Sequence, residues 1–248
     1  MNLYHSPELF QKNTRITAGI TYAGRDQINK SGEVPGLNLG DNTNAPASEV
    51  ESNFNKLSAS LKCSTNEIAL AEQVHGSEVQ IVERPGFYNN VDGLITSKNN
   101  LVIASKVADC AAILLSDSSS DIIGAVHAGW RGAAADILPK ALEKLLSTGA
   151  DFQYTSAYIS PCISLKNFEV GEEVADKFDP MFINREIGMK PHLDLKSFLK
   201  HQLLAAGITQ ERIEVDSRCT FDEQNFYSYR RERDKAGRML AFIRCSSN

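Results

Sequence analysis

The sequence lacks most of what would place it in a specialised class. It has a single tryptophan, five histidines and no CxxC pair, and no apolar run approaches the roughly 18 to 20 residues of a membrane-spanning helix. The five cysteines, Cys63, Cys110, Cys162, Cys219 and Cys245, are odd in number and widely spaced, which argues against a disulfide framework and for a reducing compartment. Excess positive charge is also missing. A formal net charge of −5 and a pI near 5.6 give no general attraction to a polyanion, so no nucleic-acid partner is expected. The opening stretch, MNLYHSPELFQKNTR, has no charged segment leading into an apolar core and a small-residue cleavage site, so a cytoplasmic protein without a membrane partner is expected.

What is present is ordinary globular usage, 42% hydrophobic and 23% charged over 248 residues, enough for one sizeable core. A single domain spanning 1–248 is expected, with residues 1–47 largely irregular because short apolar pieces there are separated by glycine and asparagine. Ser48 with Glu51 three residues later has capping-box spacing and predicts a helix to about Leu61, its inner face Val50, Phe54, Leu57 and Leu61. From Glu67 to His127 the apolar runs EIALAEQVH, EVQIVE, DGLIT, LVIASKV, CAAILLS and DIIGAVH have the lengths of strands. Ala133 to Leu146 follows helical spacing and Gly149 closes it. A strand at YTSAYIS, helices near Glu172–Phe178 and Asp194–Ala206, and a closing strand at LAFIR complete an α+β pattern.

His75, Cys110 and His127 each fall at an end of a predicted strand. The segments carrying Cys110 and His127 flank the polar stretch Ser116–Ser120, so a hairpin is the economical connection. Symmetric pairing sets Leu115 opposite Ile122, Ala112 opposite Ala125 and Cys110 opposite His127, with Cβ atoms roughly 4.5 to 5.5 Å apart on one face. Two imidazoles and a thiolate suit zinc, and three protein ligands leave a fourth position open. Spacings of 35 and 17 residues are not diagnostic alone, and three buried, hydrogen-bonded side chains would leave the same pattern. The pair Cys110 and His127 also suits a thiol nucleophile with its base. His5, His192 and His201 are expected at the surface.

Read together, QVHG (Gln73–Gly76), DGLIT, ADC (Ala108–Cys110), HAGWRG (His127–Gly132), CT (Cys219, Thr220), YSYRRE and GRM give an ordered set of motifs. The set resembles the laccase-domain family, also called multicopper polyphenol oxidase, peptidoglycan editing factor or zinc-dependent purine nucleoside phosphorylase, over a stretch from Leu37-Asn38-Leu39-Gly40 to Ile243. The resemblance implies mixed β-sheets packed face to face with flanking helices, an α/β/β/α layering. It implies that His75, Cys110 and His127 hold the metal, with Cys110 and His127 at the chemistry. Three positions depart from the family pattern: Ser160 in place of a glycine, Phe54 in place of an arginine, and TYAGRD near the start.

The family names conflict, and the histidine count bears on the conflict. A multicopper oxidase needs on the order of ten histidine ligands; five are present, so one zinc, or one copper, is the expected cofactor rather than a cluster. The resemblance points to phosphorolysis of adenosine, inosine or methylthioadenosine, with adenosine deamination as a further activity. Nucleoside and phosphate are the expected small-molecule partners. A strand-to-helix turn at HAGWRG offers backbone N–H groups to an oxyanion, so Gly129, Arg131, Arg230 and Asn38 are the candidate phosphate- and substrate-binding residues, with structural ion pairs the other reading of both arginines. The HxE and PCxxC pattern of nucleobase deaminases is absent, which leaves Asp92, Asp109 and Glu169 as candidate proton carriers, Asp109 better suited to a structural role. Trp130 can stack on a base or fill a wall. A copper-dependent polyphenol oxidase, a peptidoglycan-precursor editing hydrolase and a Cys-His thiol hydrolase are the alternatives.

Overall fold

A computed structural model describes residues 2–24 and 36–247. Two six-stranded mixed sheets lie face to face. The first contains β1 (Tyr4–His5), β2 (Ile16–Thr21), β3 (Ile68–Ala71), β5 (Gly86–Tyr88), β7 (Val102–Val107) and β14 (Met239–Cys245), in the order β1-β2-β14-β7-β3-β5. The second contains β4 (Val79–Ile81), β6 (Gly93–Thr96), β8 (Ala111–Asp117), β9 (Ile123–Ala128), β10 (Thr155–Ile159) and β13 (Ile213–Val215), in the order β13-β10-β8-β9-β6-β4. A small ribbon pairs β11 (Ile183–Asn184) with β12 (His192–Leu193).

Alternation along the strands builds the layers. Ala112, Leu114, Ile123 and Ala125 of the second sheet meet Ile20, Ile103, Ala241 and Ile243 of the first in one cluster between the sheets. Their neighbours Ile113, Leu115 and Val126 turn the other way, onto α4 (Ile137–Ser147) and α6 (Leu195–Ala205). On the first sheet Val102, Ala104, Leu240 and Phe242 face Leu57 and Leu61 at the end of α2 (Ala47–Ser60). The order is helices, sheet, sheet, helix, the layering expected. It explains why strands that are mostly antiparallel read as continuous apolar runs: every residue of β7, β8 and β9 is buried because both faces are covered.

Several local expectations are corrected. The amino-terminal segment is not largely irregular over its described part: β2 is an inner strand between β1 and β14, and α1 (Glu8–Gln11) precedes it. Residues 25–35, which include Arg25 and Asp26 of TYAGRD, lie outside the described residues. The helix assigned to a Ser48 cap starts at Ala47 with Pro46 at the cap position; a capping box is formed instead by Ser64 with Glu67, just before β3. Phe54 is only half-buried, and Asn53 takes its place on the inner face by donating to the carbonyls of Gly36 and Asn38. The helix predicted from Ala133 is two: α3 (Trp130–Ala134) and α4, broken at Asp136, whose φ of 60° is left-handed.

The hairpin β8–β9 forms with its register displaced by two. Leu115 faces Gly124 and Ala112 faces His127. Asp117 explains the displacement: its Oδ1 accepts from Ser119 and Ser120 N–H at 2.6 and 3.0 Å, which sets the turn at 118–121 and carries β8 on to Asp117. A two-residue shift preserves the side-chain face, so Cys110, two positions before Ala112, stays on the His127 side.

Leu114 is fully buried between the sheets. Leu114→Ala is expected to lower unfolding stability by about 2–5 kcal/mol, read as a reduced urea midpoint with little change in slope.

Candidate metal centre

Three chain passages meet at one end of the sandwich. After β3 the chain leaves the first sheet for β4 in the second, and His75 sits on that crossing. After β7 it crosses again through Ala108-Asp109-Cys110 into β8. His127 is the penultimate residue of β9, beside both. The metal-binding atoms of His75, Cys110 and His127 all lie within 4.8 Å of one another, and the two imidazoles stand edge to face with centroids 4.9 Å apart.

Asp92, at the start of β6, fixes two of the three. Its carboxylate is fully buried. Oδ1 accepts from His75 N at 3.0 Å and meets His127 Nδ1 at 2.8 Å, while Oδ2 accepts from Gly76 N at 2.7 Å and Val74 N at 3.2 Å. His75 has a φ of 59°, a left-handed conformation unusual for a side chain with a Cβ; the three N–H bonds to one carboxylate hold it there. Because Nδ1 of His127 is engaged, Nε2 is the nitrogen left for a metal, the carboxylate–imidazole arrangement that raises ligand basicity.

The glycines of HAGWRG have steric reasons. A Cβ on Gly129 would come to 3.0 Å from Cys110 Sγ and 3.2 Å from His75 Cδ2, so only glycine leaves the cluster undisturbed. A Cβ on Gly132 would meet the Gly76 carbonyl at 2.6 Å, so this glycine lets α3 pack against the His75 loop. Gln73 joins the two crossings: its amide exchanges two bonds of 2.7 Å with the backbone of Lys106.

Charges in the cluster stabilise each other. Burial disfavours the Cys110 thiolate, but the charge and hydrogen bond of His127, with help from His75, outweigh it and lower the thiol to about 6. Burial likewise disfavours imidazolium at His127; the Cys110 thiolate and Asp92 carboxylate outweigh that and raise it to about 9. At Asp92, too, burial is opposed by His127, and the carboxyl ends below its usual value.

A cavity of about 670 Å³ opens over the cluster. Cys110, His75 and His127 line it together with Val74, Phe87 and Tyr229, which are about half exposed, and with the charged Asp41, Glu72, Lys106 and Arg238. Arg131 and Arg230, expected beside an oxyanion, are not among its lining residues. Arg131 is exposed and stacks on Trp130, its guanidinium carbon 4.3 Å from the ring, and Trp130 packs against the helix-side core. Arg230 donates to the carbonyls of Asn167 and Glu169 at 3.3 and 3.0 Å. Asn38 is fully buried with its amide spent on Thr43, Gly40 and the Arg238 backbone. Of the four, Gly129 alone touches the cluster.

The carboxylates fall out similarly. Asp109 accepts from Thr220 and Ser228 hydroxyls and from Arg230 N, so the CT and YSYRRE motifs converge on it and its role is structural. Glu169 pairs with Lys190 at 3.3 Å away from the cavity. Asp92 is committed to the histidines. Glu72 and Asp41, passed over in sequence, are the carboxylates among the described residues that line the cavity. Ser160, which replaces a glycine of the family pattern, uses its buried hydroxyl to accept from Ala112 N at 2.9 Å, beside Cys110. His192 is buried, its Nδ1 2.9 Å from the Leu165 carbonyl, rather than at the surface.

The family described as Multi-copper polyphenol oxidoreductase laccase matches residues 21–246. The chain belongs to this family. Among its relatives, a purine nucleoside phosphorylase of Deinococcus radiodurans is 35% identical over 86% of this chain and 83% of its own length. The purine nucleoside phosphorylase YlmD of Geobacillus stearothermophilus is 31% identical over 96% and 97%, and an adenosine deaminase, RL5, from an unknown prokaryote is 28% identical over 88% and 90%. The crystal structure of YlmD superposes with a TM-score of 0.89 at 27% identity, covering all of both chains. That of Bacillus licheniformis YfiH also gives 0.89 at 27%, covering 99% of this chain and 100% of its own. As in the expectation from sequence, no helix among the described residues is long and apolar enough to cross a membrane.

Two measurements check the electrostatics. Iodoacetamide labelling of Cys110 in metal-free protein is expected to rise through a pH of about 6 and level off above it, where an ordinary thiol rises near 8.5. Asp92→Asn keeps the shape and removes the charge; it is expected to weaken metal binding about 10- to 100-fold, read by competition with a chromogenic chelator.

Proposed function

We propose that the protein is a purine nucleoside phosphorylase acting on adenosine, inosine or methylthioadenosine, with one zinc ion held by His75, Cys110 and His127. The observation that carries the proposal is the open three-donor cluster at the floor of a nucleoside-sized cavity, in a chain whose relatives are named for this activity. The donors fit the ion: two imidazoles and a thiolate within 4.8 Å of one another are a zinc donor set that leaves a fourth position open. One copper suits the same donors. A multicopper cluster does not, since the three remaining histidines are engaged elsewhere: His5 near Asp216, His192 on Leu165 and His201 against Phe182.

When bound, the ion supplies Lewis-acid polarisation of an oxygen in the cavity. The chain supplies the rest. Asp92 holds the His127 ring and the His75 loop rigid, so no reorganisation is needed when substrate arrives. Phe87, Val74 and Tyr229 offer apolar surface for a purine at the mouth. In phosphorolysis a phosphate oxygen bonds to C1′ of the ribose as the C1′–N9 bond breaks; the electron pair leaves with the purine, which takes up a proton, giving ribose 1-phosphate and free base. Adenosine deamination is a further activity of the same site, with Glu72 as the carboxyl available to move protons.

A second reading has its own observation. Cys110, His127 and Asp92 form a nucleophile, base and orienting carboxylate, the constellation of a thiol hydrolase. Removal of the metal separates the two: a phosphorylase loses activity to a chelator and regains it with zinc, whereas a thiol hydrolase gains reactivity at Cys110.

Metal-defined protein incubated with adenosine and inosine is expected to release base and ribose 1-phosphate only with phosphate present, at about one zinc per chain. Inertness toward all of these nucleosides, with phosphate and full metal loading, overturns the proposal.

A further inference from the structure

The two arginines expected to receive phosphate lie outside the cavity, yet phosphorolysis requires an anion site within it. Outside the metal cluster, the described cavity lining contains two cationic side chains, Lys106 and Arg238, and they differ in how they are neutralised. The Lys106 ammonium is 2.5 Å from Asp41 and 5.1 Å from the centre of the Phe87 ring, so a carboxylate already partners it. Arg238 has no carboxylate partner among the described residues. One of its terminal nitrogens donates to the carbonyls of Ala236 and Gly237 at 2.8 and 3.0 Å, and its guanidinium lies 5.9 Å from the Tyr229 ring, also in the cavity wall. Burial pulls it below the ordinary arginine value, with the Cys110 thiolate the largest charge acting the other way.

The surrounding chain is built to hold this side chain. Its backbone N–H donates to Asn38 Oδ1 at 2.8 Å, and the same oxygen accepts from Gly40 N at 3.0 Å. Its aliphatic stem lies where a side chain at 40 would otherwise be: a Cβ on Gly40 would come to 2.5 Å from Arg238 Cγ and 3.1 Å from Cβ. The segment Leu37-Asn38-Leu39-Gly40 therefore serves as a clamp on Arg238. A desolvated guanidinium, positioned by its stem, paired only to neutral carbonyls and facing a cavity, calls for an anionic ligand.

We propose that Arg238, positioned by Asn38 and Gly40 and seconded by Lys106, is the oxyanion-binding residue of the cavity, and that its ligand is the phosphate co-substrate. This rests on the phosphorylase reading for the identity of the anion, but not for the existence of the subsite. It moves phosphate recognition from the HAGWRG turn to the GRM motif at the start of β14, and it assigns Asn38 a positioning role in place of direct substrate contact.

The test is calorimetric titration of inorganic phosphate into full-length, zinc-loaded protein, alongside the phosphate KM in nucleoside phosphorolysis. Arg238→Met is expected to weaken phosphate binding about 10- to 100-fold, the range for loss of a charge-assisted bond, with zinc content unchanged. Gly40→Ala, which keeps the guanidinium and displaces its stem, is expected to raise the phosphate KM with a smaller change in kcat; a merely structural role would lower zinc content and thermal midpoint instead. Arg131→Met is expected to bind phosphate as the parent does. Phosphate binding that is undetectable in the parent, or unaltered in Arg238→Met, overturns the subsite. Arg238-dependent phosphate binding without turnover of any purine nucleoside upholds the subsite and overturns the phosphorylase reading.

Discussion

One buried carboxylate organises the site. Asp92 has no exposed surface and accepts from three consecutive backbone N–H groups, Val74 to Gly76, as well as engaging His127 Nδ1. A buried carboxylate left without these partners would carry a large desolvation cost, so the loop and the ring are held to it as much as it is to them. The left-handed backbone at His75 and the choice of ring nitrogen at His127 follow from this one anchor, and the ring it holds in turn lowers the Cys110 thiol. It joins the crossing that leaves the first sheet to the strand β9 of the second.

The sandwich explains why the anchor sits where it does. Two packed sheets require the chain to change layer, and two of those changes, after β3 and after β7, fall at the same end. Layer changes are irregular backbone with polar groups to satisfy; here Asp92 satisfies the His75 crossing, and Gln73 ties that crossing to the end of β7. The rigid β8–β9 hairpin beneath carries Cys110 and His127 at its open end. Functional side chains on short crossings, braced by buried strands, combine precise placement with access from the cavity.

The five cations Arg230, Arg231, Arg233, Lys235 and Arg238 near the carboxyl end show how one sequence feature divides in space. Arg231 donates to the carbonyls of Thr220 and Phe226 and braces the turn that carries Thr220 and Ser228 to Asp109, while Arg230 donates to the Asn167 and Glu169 carbonyls. Arg233 and Lys235 are exposed. Arg238 alone reaches the cavity wall. Neighbouring cations thus serve as structural brace, solvated surface and cavity-facing charge, and nothing in their spacing distinguishes these uses.

The sequence by itself showed the strands from Glu67 to His127 apart from the short edge strand β5, because the length of an apolar run is a local property, and its ordered motifs pointed to the layered α+β class and to the His75, Cys110 and His127 group that the fold brings together. It placed Cys110 and His127 on one face despite a register error of two, since an even shift leaves the face unchanged. It misjudged the Ser48 cap, the split at Asp136 and the amino-terminal strand β2, where partners distant in the chain override local propensity. What only the tertiary structure decided is which polar groups are already spent. Asp92, Asp109, Arg230 and Asn38 looked available in sequence and are consumed by hydrogen bonds across 16 to 200 residues of chain, while Glu72, Lys106 and Arg238 are brought to the cavity by strand ends that meet only in the fold. Hydrogen bonding is saturable and directional, so the availability of a side chain is a property of its neighbours in space, and those neighbours are set by packing rather than by order along the chain.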